Sequence, residues 1–189
     1  MPTCAIAYSG KGRLAAAVAR VLRERKVPVV GIVDRPRASR EALESLDIPV
    51  YQIENTPAGW SRVCIQHRVE CIALAGFLLP VPAQIVQQYK GRIINSHPAL
   101  LPAFGGKGMY GRRVHESVVA AGCEESGFTV HEVSERYDEG PILHQVRLPI
   151  RGLDVETVEA FIQAAEREVY PMIVWRLWRT CVSAESSPL

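Results

Sequence analysis

Apolar residues fall in short runs along this chain, and between the runs they recur at every third or fourth position. Residues 4–8, 27–33, 48–53 and 71–75 are runs of β-branched or small apolar side chains, the pattern of strands covered on both faces. Leu14, Val18, Val21 and Leu22 follow the first run at helical spacing. Ser39 is placed to cap a short helix through Leu46, and Thr56 with Pro57 reads as the N-cap and first turn of a helix reaching about Arg68. A helix over 83–89 leads to a strand over 92–96. Strands alternating with helices imply a parallel sheet with helices on both faces. The rhythm then changes. Residues 128–134 alternate as a strand, 135–140 turn, and 142–150 return as an antiparallel partner. Asp154 is placed to cap a long amphipathic helix to about Arg179, kinked at Pro171. The expected fold is α/β: a three-layer, doubly wound, mostly parallel sheet with an antiparallel C-terminal strand and a long C-terminal helix. Residues 1–182 read as a single domain and 183–189 as a loose tail.

Composition narrows the class. The chain has 189 residues, 48% of them hydrophobic and 22% charged, which suits a soluble globular domain. A formal net charge of +2 from scattered cations offers no basic surface for nucleic acid. Cys4, Cys64, Cys71, Cys123 and Cys181 form no CxxC pair, so reduced thiols are expected and no metal site is indicated. His115-Glu116 opens no HExxH, because Val119 stands where the second His would be. The first strand begins almost at Met1 and the apolar runs are shorter than a membrane span. A cytoplasmic protein with no membrane partner, monomeric or homodimeric, is expected.

Candidate chemistry gathers at strand ends. Asn95, Ser96 and His97 come where the strand over 92–96 leaves the core, and Pro98 and Pro102 then forbid regular structure. Alternate strand residues face alike, so Asn95 and His97 share one side, at the carboxyl end where open α/β sheets hold ligands. Taken alone, the pair could equally cap the strand and bond loop carbonyls. Gly10, Lys11, Gly12 and Arg13 lie between the first strand and its helix, where glycines let an anion approach the helix N-terminus. The same stretch matches GxGxxA with Asp34 ending the next strand, the pattern of a dinucleotide site. Lys11 and Arg13 favour a compact phosphate monoester over a pyrophosphate. The apolar loop over 76–82 either lines a pocket or packs on the core. The glycine-rich loop over 104–111 reads as a mobile lid.

The run Ser-His-Pro-Ala-Leu-Leu-Pro (96–102), the strand bearing Thr129 and His131, and Tyr-Asp-Glu-Gly-Pro-Ile (137–142) resemble the folate-dependent formyltransferases. The likeness covers nearly the whole chain. It is densest over 71–150 and is nearest to the branch that formylates glycinamide ribonucleotide in purine synthesis. It implies a Rossmann-like formyltransferase fold whose half over 1–90 binds phosphate and nucleotide, with catalysis and folate in 91–182. It implies 10-formyltetrahydrofolate as donor, with Asn95, His97 and Asp138 catalytic. Asp138 is then expected to raise the pKa of His97 and keep it charged. Ribotide binding falls to Gly10, Lys11, Gly12, Arg13 and Glu166, and folate binding to Leu78, Leu79, Pro80, Val81 and Asn95. Two departures stand out. The first loop is a residue shorter than usual and has Arg13 where the family carries Ser-Asn, and Leu79 stands where an Arg is common. The same catalytic residues would serve another amine, on an amino sugar or an aminoacyl-tRNA. The GxGxxA loop with Asp34 leaves an NAD-binding oxidoreductase as the reading from a different class.

Overall fold

The computed structural model describes residues 1–34 and 40–185. Its elements are β1 (Thr3–Tyr8), α1 (Arg13–Glu24), β2 (Val29–Val33), α2 (Glu41–Glu44), β3 (Val50–Gln52), α3 (Pro57–Gln66), β4 (Val69–Leu74), α4 (Ala83–Gln88), β5 (Ile93–His97), α5 (Arg112–Ala120), β6 (Glu125–Glu132), β7 (Ile142–Pro149) and α6 (Val155–Glu185). The strands form one sheet in the order β3-β2-β1-β4-β5-β6-β7. β1 to β5 are parallel, β6 pairs antiparallel with β5, and β7 pairs antiparallel with β6. β6 alone therefore runs against the rest, as the change of rhythm in the sequence implies.

The apolar runs are unbroken because both faces of the sheet are covered. On one face Cys4, Ile6, Tyr8, Cys71 and Ala73 join a core completed by α1 and α6. Their strand neighbours Ala5, Ala7, Ile72 and Leu74 point the other way, into a core completed by α3 and α4. Alanines carry much of the buried face of α1 (Ala15, Ala16 and Ala19, beside Val18 and Leu22), so this helix packs with little side chain between it and the sheet. α3 starts as its sequence demands, with Thr56 Oγ1 accepting from the Gly59 N–H at 3.2 Å and Pro57 in the first turn. The expected cap at Ser39 lies outside the described residues. α2 follows Arg40, which makes no side-chain cap bond.

α6 differs from expectation at its end. It runs through Glu185, into the segment read as a loose tail, because Val174, Leu177, Trp178 and Cys181 continue its apolar stripe against the sheet. Pro171 lies inside the helix, and residues 186–189 lie outside the described ones. No helix among the described residues is long and apolar enough to cross a membrane.

Strand order puts a switch point between β1 and β4, since the chain leaves β1 toward β2 and later returns on the other side. At such a point the two neighbouring loops diverge and leave a crevice at the carboxyl ends of the strands. α6 is locked over this crevice by Tyr170, whose buried hydroxyl lies 2.9 Å from the Leu74 carbonyl and 3.3 Å from that of Ile94. Tyr170→Phe should lower stability by about 0.5–1.5 kcal/mol, the usual net value of one such bond. Urea unfolding checks this, and an unchanged midpoint would mean that the hydroxyl contributes nothing to the clamp.

Candidate active site

A cleft of about 690 Å³ opens over the carboxyl ends of β1, β4 and β5. One wall is the loop after β1. Gly12 begins α1 with φ 69°, and a Cβ there would lie 3.0 Å from the Tyr8 ring and 2.9 Å from Ala42. Glycine is required on both counts. No side chain caps α1, so its first N–H groups stay open to an anion, with Lys11 and Arg13 exposed beside them. The opposite wall is the loop after β4. Ser9 joins the two: its N–H donates to Gly76 O and its Oγ accepts from Leu78 N–H, each at 3.0 Å. Phe77 and Val81 pack inward, Phe77 edge-on to Trp60, while Leu78 and Leu79 stay half-buried and Pro80 exposed. All five line the cleft, so this loop both packs on the core and walls a pocket. Asn55 fixes it by donating to Pro80 O at 2.8 Å while accepting from Trp60 Nε1–H.

The floor is polar. β5 and β6 pair Asn95 with His131 and His97 with Thr129, so all four side chains leave the sheet on one face. Thr129 Oγ1 accepts from Leu101 N–H and donates to Ala99 O, pinning the proline loop that follows His97. The turn between β6 and β7 returns Asp138 to this face with φ 57°. Its Oδ2 lies 3.5 Å from His97 Nδ1 and its Oδ1 3.5 Å from His131 Nε2, while Gly106 N–H donates to Oδ2 at 2.9 Å. His131 Nδ1 faces the Glu132 carbonyl at 2.8 Å, which can only accept, so Nδ1 carries the proton. Nε2 is then free to accept from the Asn95 amide at 3.2 Å. By the same reasoning His97 Nε2–H donates to Phe104 O at 2.8 Å.

These surroundings set the charges. Burial pushes the Asp138 carboxyl up, but His131, His97 and the Gly106 N–H together outweigh it and hold the group below the usual carboxylate range. Burial pushes His97 down, and the opposing pull of Asp138 and the Phe104 carbonyl does not overcome it. Asp138 raises His97 as expected, but burial lowers it by more, so the net direction is downward. A 3% exposed imidazole loses more from leaving water than it gains from one carboxylate at 3.5 Å. Burial thus favours the neutral form of His97, while its surroundings favour the ionised form of Asp138.

Every residue singled out in the sequence for catalysis, ribotide or folate lines this one cleft. The apolar loop over 76–81 shares the cleft with the loop over 10–13. Asp34, on which the dinucleotide reading rests, does not line it. Sequence reasoning gave no role to Ser96, His115, Gln163 or Arg167, which do. Ser96 donates to Glu166 Oε1 at 2.7 Å. His115 is buried, and its Nδ1 has no hydrogen-bond partner among the described residues. The alternation along β6 could have flagged His131 as the partner of Asn95. Nothing in the sequence joins Ser96 to a helix so distant in the chain.

Residues 3–174 match the formyl transferase family model. The chain is 34% identical to the phosphoribosylglycinamide formyltransferase of Bacillus subtilis (strain 168), over 94% of this chain and 95% of that protein. It is 36% identical to the chloroplastic phosphoribosylglycinamide formyltransferase of Arabidopsis thaliana over 82% of its own length, and the match spans 50% of that relative. Among solved structures, the phosphoribosylglycinamide formyltransferase of Anaplasma phagocytophilum superposes with a TM-score of 0.84 at 29% identity, covering 95% of this chain and 88% of that one.

Glu166 gives the site a measurable pH dependence. Burial raises its carboxyl to about 7 from 4.5, against the Ser96 bond and the Arg167 charge. A carboxyl raised on folding contributes stability below its unfolded pKa and loses it as pH rises through the folded value. The wild type should therefore lose about 3 kcal/mol from this group between pH 4.5 and 8, and Glu166→Gln should not. His97 and His115, both lowered by burial, work in the opposite sense but are common to both proteins. Urea unfolding at pH 5 and pH 8 should show the variant gaining on wild type at the higher pH. An equal gap at both would contradict a buried, titrating Glu166.

Proposed function

Because this chain belongs to the formyl transferase family, we propose that it moves the formyl group of 10-formyltetrahydrofolate to the amine of glycinamide ribonucleotide, a step of purine synthesis. The observation that carries this is the convergence of Asn95, His97, His131 and Asp138 on a floor between an anion loop and an apolar wall. In this reading the pterin lies against Leu78, Leu79, Pro80 and Val81, the ribotide phosphate at Gly10 to Arg13, and Glu166 meets the ribotide between them. The acceptor amine then reaches the formyl carbon above Asn95.

Attack turns the formyl carbonyl into an oxyanion. The Asn95 amide nitrogen has two hydrogens, and one goes to His131, so the second is left to donate to that oxygen. His97 donates from Nε2 to the Phe104 carbonyl, and donating to substrate requires it to exchange that carbonyl for the formyl oxygen. Phe104 opens the glycine-rich loop, so this exchange couples the chemistry to the expected movement of that loop. Proton accounting suits a neutral imidazole. One C–N bond forms and one breaks; the attacking amine loses a proton and the folate nitrogen N10 gains one. A relay from the amine through anionic Asp138 and neutral His97 moves that proton with no net release.

The test is to supply the purified chain with 10-formyltetrahydrofolate and glycinamide ribonucleotide and to follow the formylated product. Turnover should require the phosphate, and the dephosphorylated nucleoside should be a poor acceptor. Lys11→Ala and Arg13→Ala should each weaken ribotide binding by about 1.5–3 kcal/mol, the range for a charge-assisted bond, and leave folate affinity nearly unchanged. If the double variant binds ribotide as tightly as wild type, the phosphate is held elsewhere. Formylation of an amino sugar or aminoacyl-tRNA in preference to the ribotide would transfer the same chemistry to another acceptor.

A further inference from the structure

Ser96 stands between Asn95 and His97 on β5, so its side chain leaves the sheet on the opposite face, the one that Ile94 shares with α6. It is buried at 7% exposure, and its register partner Val130 is buried on the same face. Its hydroxyl donates to Glu166 Oε1 at 2.7 Å, a short bond of the charge-assisted kind. Glu166 is equally buried, and both residues line the cleft. One turn further along α6, Tyr170 is fastened by its hydroxyl to Leu74 and Ile94 carbonyls, which fixes the helix at this level. One carboxylate oxygen is thus tied to the strand that carries Asn95 and His97, and the other is left over from that bond.

We propose that Ser96 is a positioning residue for the acceptor: its hydroxyl fixes the orientation of the Glu166 carboxyl, so that the remaining oxygen receives N–H or O–H donors of the acceptor molecule. The inference rests on the formyl-transfer reading for the identity of that acceptor, which is the ribotide. Burial alone would keep Glu166 protonated; the Ser96 donor and the Arg167 charge oppose it. The Tyr170 hydroxyl on α6 also faces the carboxyl, and Lys11, Arg13, His97 and His115 line the same cleft. The three-residue run Asn95-Ser96-His97 therefore serves both faces of β5. Its outer members face the reacting carbon, and its middle member sets the group that holds the acceptor.

Ser96→Thr and Ser96→Val test this, because the two side chains have the same shape and differ only in the donor. The ribotide KM, kcat and the pH profile of kcat/KM are measured for both. The Glu166 carboxyl is titrated separately by carbon NMR, without substrate. Ser96→Thr should behave as wild type. Ser96→Val should raise KM on the order of tenfold, the effect of losing one such bond, with a smaller change in kcat. Its acidic limb and its Glu166 titration should both move to higher pH. The ribotide's own amine titrates identically with every variant, so differences between profiles belong to the protein. Coincident titrations and profiles for Thr and Val would overturn the proposal, and so would a shifted titration with an unchanged KM. If the wild type formylates no ribotide, the function proposed above is wrong, while the substrate-free titration still decides whether Ser96 governs Glu166.

Discussion

Asp138 sits between two buried imidazoles, 3.5 Å from each, and the local structure around the floor is arranged to keep it there. A carboxylate this deep needs polar partners. The β6–β7 turn supplies its position, His131 on β6 and His97 on β5 flank it, and Gly106 reaches in from the glycine-rich loop. The antiparallel entry of β6 is what makes this possible, because it sets His131 directly across from Asn95. The short turn carrying Asp138 exists because β7 pairs antiparallel with β6.

The same burial that orders the site also destabilises charge within it. His131, His97 and the Gly106 N–H hold Asp138 below the usual carboxylate range, whereas burial pushes Glu166 to about 7. His97 yields in the opposite direction, toward its neutral form. A neutral imidazole between a carboxylate and a backbone carbonyl can pass a proton either way, which an imidazolium held firmly by Asp138 would do less readily. The cleft gathers these buried ionisable groups, while the strands beneath are filled largely by Ala, Ile and Val.

How much of this could be read from the chain follows from what is local. The shared face of Asn95 and His97 follows from strand alternation alone, and the anion loop follows from glycines placed between a strand run and a helical stripe. The apolar wall at 77–81 was legible as a costly exposure. The pKa of His97 was not, since its sign depends on how completely the neighbouring loops exclude water, and no residue type records that. The bond from Phe104 O to His97 belongs to main chain and leaves no mark in the sequence at all. The Ser96–Glu166 pair needs α6 docked on the sheet, and the extension of α6 to Glu185 shows the same lesson: packing decided an end that capping residues did not mark.

The central claim is that Asp138 and His97 act as one unit on the transferred group. A double-mutant cycle with His97→Ala and Asp138→Asn, read as the single-turnover rate of formyl transfer to the ribotide, tests it most directly. Each single variant should slow transfer on the order of 10²–10³-fold, and the double variant should be scarcely slower than the worse single. Near-normal transfer by either single variant, or losses that multiply in the double, would contradict the account.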